Sequence, residues 1–95
     1  MSILETITEH DKANPISRRE LTDLFGMTDR NVRKNIEELR KKGHRICATS
    51  CDKGYYLAQT NEELERFLAD YKSKAWSIIR TARAMEKGVE NVSVR

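Results

Sequence analysis

Proline occurs once in this chain of 95 residues, tryptophan once, cysteine twice and glycine four times. Two cysteines, Cys47 and Cys51, are too few to staple a small secreted domain, which relies on several disulfides where its core is thin. No apolar run approaches the ~20 residues of a membrane-spanning helix, so no membrane partner is expected. The opening MSILETITEH carries acids where an export signal carries basic residues. A reducing, cytoplasmic setting is therefore the expectation. Gly26, Gly43, Gly54 and Gly88 each close a patterned stretch, and none belongs to a phosphate-cradling loop. Neither His10 nor His44 has a nucleophile in a recognisable arrangement, and no carboxylate pair stands out, so the chain is not expected to be an enzyme.

Charge is what the chain has in quantity. Charged residues are 35% of the total and hydrophobic ones 38%, a mixture that suits a helix-rich globular protein rather than a disordered tail. This length allows one compact domain plus an appended element. The net charge of +3 is unevenly spread: residues 17–43 hold eight basic side chains against five acidic. A mild excess of this kind is compatible with nucleic acid.

Hydrophobic spacing divides the chain. Ser2 with Glu5 has capping-box form ahead of Ile3, Leu4 and Ile7, predicting a short helix that ends before Asn14-Pro15. Ser17 with Glu20 is a second capping box, followed by an apolar face of Leu21, Leu24 and Phe25 and a stop at Gly26. Thr28 caps a third helix over 29–42, whose buried stripe is Val32, Ile36 and Leu39, and Gly43 ends it. The period then changes. Residues 44–48 and 55–58 read as two strands around a polar turn, a hairpin in which Tyr55 and Leu57 point inward and Tyr56 outward. Thr60 with Glu63 opens a last helix over 60–88, and 89–95 is expected to be a flexible tail.

Helix, helix, a three-residue turn through glycine, helix, then a hairpin is the order of a winged helix-turn-helix. The expected fold is thus mainly α with a small β-hairpin: a winged helix-turn-helix over 1–58, followed by a long C-terminal helix. On a helical wheel, Arg30, Lys34, Glu37 and Lys41 lie opposite the Val32–Ile36–Leu39 stripe, with Asn31, Arg33 and Asn35 on the flanks. Long cations and amides on an outward face suit a major groove, where Arg and Lys read guanine and Asn reads adenine. The start of such a helix reaches base edges first, which selects Thr28, Asp29, Arg30, Arg33 and Lys34. Ser17, Arg18, Lys53 and Tyr56 complete the expected contacts with double-stranded DNA.

The stretch ISRRELTDLFGMTDRNVRKNIEELRKKGHRI, followed by DKGYYL, resembles the winged DNA-binding module of biotin operon repressors and of small bacterial and phage regulators. The shared pattern is a serine-capped second helix, a glycine turn, a third helix ending in LR and glycine, and a wing returning through Lys53-Gly54-Tyr55. The resemblance covers residues 3–58 and carries nothing about biotin. It implies a small transcriptional regulator of bacterial or phage origin, with Thr28 through Lys34 on bases and phosphates and a wing tip at Ser50, Cys51, Asp52 and Lys53. Asp52 departs from the pattern, standing where a glycine is usual. Two other readings use the same surface. One is a winged-helix protein-interaction module (an antirepressor or assembly factor), suggested by Asp29, Glu37 and Glu38. The other is an architectural accessory factor of recombination or replication.

Cys47 and Cys51 with His44 and His10 lack the knuckle spacing of a zinc site, so neither metal nor cofactor is expected. Cys47 reads as a small buried hydrophobe. In the last helix Leu64, Leu68, Tyr71, Ala75, Ile78, Ala82 and Met85 recur at spacings of four and three, with Phe67 and Ile79 flanking. Such a seam predicts a homodimer whose two-fold axis would set half-sites about one DNA turn, or a multiple, apart. The alternative is a helix that breaks near Lys72-Ser73-Lys74 and folds back.

Overall fold

The computed structural model describes residues 1–49 and 53–92, so the expected wing tip at Ser50, Cys51 and Asp52 and the end of the tail lie outside the described residues. The fold is mainly helical with a small three-stranded antiparallel sheet. Contacts divide it into two units, Met1–Leu64 and Glu65–Arg95.

Hydroxyl caps open the first three helices where the sequence places them. Ser2 Oγ accepts from the Glu5 amide at 3.1 Å ahead of α1 (Ile3–Thr8), and Ser17 Oγ from Glu20 at 3.0 Å ahead of α2 (Arg18–Phe25). Thr28 Oγ1 accepts from Asn31 at 3.1 Å and starts α3 (Asp29–Lys41). Each such cap satisfies an otherwise orphaned amide and contributes about 1 kcal/mol. Gly26 ends α2 at φ 58°, and Gly43 follows α3 at φ 99°. Both conformations lie in the left-handed region that residues with a Cβ avoid.

Three strands follow from two hairpin segments and one surprise. β1 is Ile16–Ser17, β2 is Ile46–Ala48 and β3 is Gly54–Leu57, in the order β1-β3-β2. Ile16 pairs with Tyr55 and Ser17 with Gly54, while Cys47 pairs with Tyr56 and Ala48 with Tyr55. β1 was not expected, because two residues carry no readable alternation. Ile3 and Ile7 from α1, Leu21 from α2, Val32 and Ile36 from α3, and Ile16, Ile46 and Tyr55 from the sheet form one buried cluster. Leu24 departs from the expected core: it is 58% exposed. On a helix this short Leu21 and Phe25 share the inward line, and Leu24 falls at its edge.

Tyr56 is a second departure. It lies on the sheet face opposite Tyr55, as alternation requires, yet it is only 6% exposed. That face is covered as well. Cys47 (0% exposed) is directly across from Tyr56, and the charge of Glu63, in the first turn of the last helix, acts on both.

The last helix, α4, runs over Asn61–Val92 without a break at Lys72-Ser73-Lys74. Thr60 Oγ1 accepts from the Glu63 amide, the first half of the expected box, while Glu63 Oε1 accepts from the amide of Gln59, one residue before the cap. Gly88 does not stop it, and residues 89–92, assigned from sequence to a flexible tail, are helical. An interior glycine costs a helix only about 1 kcal/mol, and Gly88 lacks the positive φ of a terminating glycine.

Candidate nucleic-acid interface

Three residues, Gly26, Met27 and Thr28, separate α2 from α3. The Met27 amide donates to Thr22 O at 3.2 Å, and half-buried Met27 packs against the core cluster. Val32 and Ile36, 0% and 1% exposed, fix the roll of α3. Burying one such side chain contributes about 1.5–3 kcal/mol, enough to hold the helix in a single orientation. Arg30, Lys34, Glu37 and Lys41 are consequently all exposed on the opposite side, with Asn31 and Arg33 exposed beside them.

Two acids of α3 are matched, while exposed Glu38, four residues on from Lys34, enters no ion pair among the described residues. Asp29 lies 2.5 Å from Arg18 Nε and 3.9 Å from Arg33, and Glu37 lies 3.5 Å from Lys41. Among the described residues no ion pair involves Arg30 or Lys34. They stand four apart, one turn above the other, and present two cations to one external surface.

Arg18 takes a role the sequence did not assign. Its guanidinium bonds the Tyr55 hydroxyl and Asp29, which together hold its pKa above the ordinary value against the opposing effect of desolvation. It therefore ties α2, α3 and β3 together rather than reaching outward. Arg19 is the neighbour left exposed. It borders one open concavity with Thr22, Asp29 and Lys53, beside the start of α3. The Arg18 amide donates to Lys53 O at 2.8 Å, which anchors that return of the hairpin to β1 and leaves the Lys53 side chain exposed. Ser17 is half-buried and committed to its cap. Tyr56 drops out of the expected contact set, since a buried ring cannot meet a phosphate.

Arg40 went unread in the sequence. Its Nε donates to Ile46 O at 2.9 Å and its guanidinium sits 6.0 Å from the Tyr55 ring centre, joining α3 to β2 and β3. Its only sequence signal is a position between the buried stripe and the outward face, where a long side chain can lie along the domain. Cys47 is a free, buried thiol. Burial pushes its pKa up, partly countered by the charge of Arg40. Among the described residues no three His, Cys, Asp or Glu side chains gather to hold a metal ion, and no helix is long and apolar enough to cross a membrane.

Along α4 the seam residues differ in exposure. Leu64, Phe67 and Leu68 are half-buried, and the Phe67 and Tyr71 rings stand 5.5 Å apart. Tyr71, Ala75, Ile78, Ile79, Ala82 and Met85 are exposed, Ile78 to 70% and Met85 to 67%. Trp76, outside the seam, is also exposed. Comparison with family models, with curated proteins and with solved structures returns no match.

Proposed function

We propose that Met1–Leu64 is a winged helix-turn-helix that binds double-stranded DNA in a sequence-specific manner, with α3 in the major groove, and that the chain acts as a small transcriptional regulator. The observation that carries this reading is the pair Arg30 and Lys34. Both are exposed and without acidic partners among the described residues, on the face opposite Val32 and Ile36. Two further features support it. The element order with the β1-β3-β2 sheet fits the winged reading, and Arg19 and Lys53 flank the start of α3, where phosphates would lie. Two of the three acids that favoured a protein-docking surface are ion-paired, Asp29 with Arg18 and Arg33 and Glu37 with Lys41, and Glu38 is exposed.

Selection of bound duplexes from a random pool tests the reading. Sequence-specific binding yields a shared motif with guanines facing the cations of α3. An architectural protein yields bound duplexes with no motif, and a protein-docking module yields none; either result overturns the proposal.

A further inference from the structure

The exposed part of α4 carries information about its partner beyond its apolarity. Leu68, Ala75 and Ala82 fall on heptad position a, and Tyr71, Ile78 and Met85 on d. Lys72, Ile79 and Glu86 share position e. A parallel, in-register pair would stack each alanine on its own copy, giving thin layers between crowded Ile78 and Met85 layers. It would also set Lys72 against Phe67 and Glu86 against Thr81, matching no charge.

Reversing one helix brings a against d and e against e. With the two-fold axis at Arg80, Ala75 meets Met85 of the second copy and Ala82 meets Ile78, so the layers nearest the axis each join an alanine to a large side chain. In the same register Lys72 meets Glu86 of the second copy, twice by symmetry, and Ile79 meets Ile79 across the axis. Antiparallel registers one heptad to either side lack this charge match. With α4 ending at Val92, the overlap in this register runs from Leu68 to Val92. Half-buried Leu64 and Phe67 fall outside it, while exposed Ile78 and Met85 fall inside.

We infer that α4 pairs antiparallel with α4 of a second copy of this chain, centred on Arg80, with Lys72 opposite Glu86. The inference is independent of DNA binding and its test needs no DNA. Lys72 and Glu86 are exposed and fourteen positions apart, too far for coupling within one helix. Sedimentation equilibrium at low salt on the parent, Lys72→Glu, Glu86→Lys and the double swap reads the pairing directly, with circular dichroism reporting that each variant is folded. The parent sediments above its monomer mass of 11.0 kDa in the micromolar range. Each single swap raises the dimer dissociation constant roughly tenfold, and the double swap returns it to within about twofold of the parent. Mild oxidation adds a geometric check in a Cys51→Ser background. Ile79→Cys forms a disulfide-linked dimer, whereas Leu68→Cys, whose two copies are far apart in this register, does not. A parent that remains monomeric, a double swap without rescue, or the reverse cross-linking pattern overturns the inference.

Discussion

Arg18 Nε stands 2.5 Å from Asp29 Oδ1, joining the first turn of α2 to the first turn of α3. The side chains are 26% and 52% exposed, so solvent screens the pair and its contribution is limited to about 1 kcal/mol. Arg18→Ala and Asp29→Ala should each lower stability by about that amount in urea titrations, with the arginine loss the larger because Arg18 also bonds the Tyr55 hydroxyl. The double variant should lose less than the sum. Strict additivity would mean that the pair does not couple the two helices.

Buried Cys47 and Tyr56 make the fold sensitive to alkali. Burial raises both pKa values above their model-compound values of 9.0 and 10.0, so the folded state keeps protons that the unfolded state releases. The stabilisation is complete below pH 9 and is lost as pH rises through the folded-state values. The melting temperature should therefore fall from pH 9 upward. Cys47→Ala with Tyr56→Phe should flatten that fall while lowering stability at pH 7. An unchanged alkaline slope in the double variant would contradict the assignment.

At Gly43, with φ 99°, a Cβ meets no neighbouring atom within 4 Å, so only backbone strain opposes substitution. Gly43→Ala should cost about 1–2 kcal/mol, measured by thermal melting. Gly88→Ala, within α4, should instead be neutral or slightly stabilising. Equal effects at the two sites would show that Gly43 is not needed for the turn after α3.

DNA binding should weaken steeply with salt, with a slope near −0.9 per phosphate neutralised and about 2–4 phosphates per chain. Arg19→Ala should reduce that slope by about one, and Arg18→Ala should leave it unchanged beyond its effect on folding. The measurement is fluorescence anisotropy on a labelled duplex from 50 to about 200 mM salt. The opposite ranking of the two arginines would return Arg18 to the interface.

Much of this fold was legible because its signals are local. Ser2, Ser17, Thr28 and Thr60 each sit where a hydroxyl satisfies an amide three residues on, and Val32 and Ile36 lie one turn apart on α3. What escaped reading depends on contacts distant in sequence. β1 exists because Ile16 and Ser17 meet Tyr55 and Gly54, and two residues hold no pattern of their own. Tyr56 alternated correctly, but the cover on its face is invisible in the hairpin's sequence. The choice between Arg18 and Arg19 was equally hidden. Adjacent arginines look alike until Tyr55 and Asp29, far along the chain, bond one of them.

The most direct measurement of the account is duplex affinity for the parent and for Arg30→Ala/Lys34→Ala at one fixed salt concentration, on the motif recovered by selection. Both side chains are exposed, so the melting temperature should stay within a few degrees of the parent. Affinity for the selected site should fall by about 1–3 kcal/mol for each base-reading side chain removed, and discrimination against unrelated duplexes should largely vanish. A folded double variant that binds the selected site as tightly and as selectively as the parent would contradict the placement of α3 in the groove.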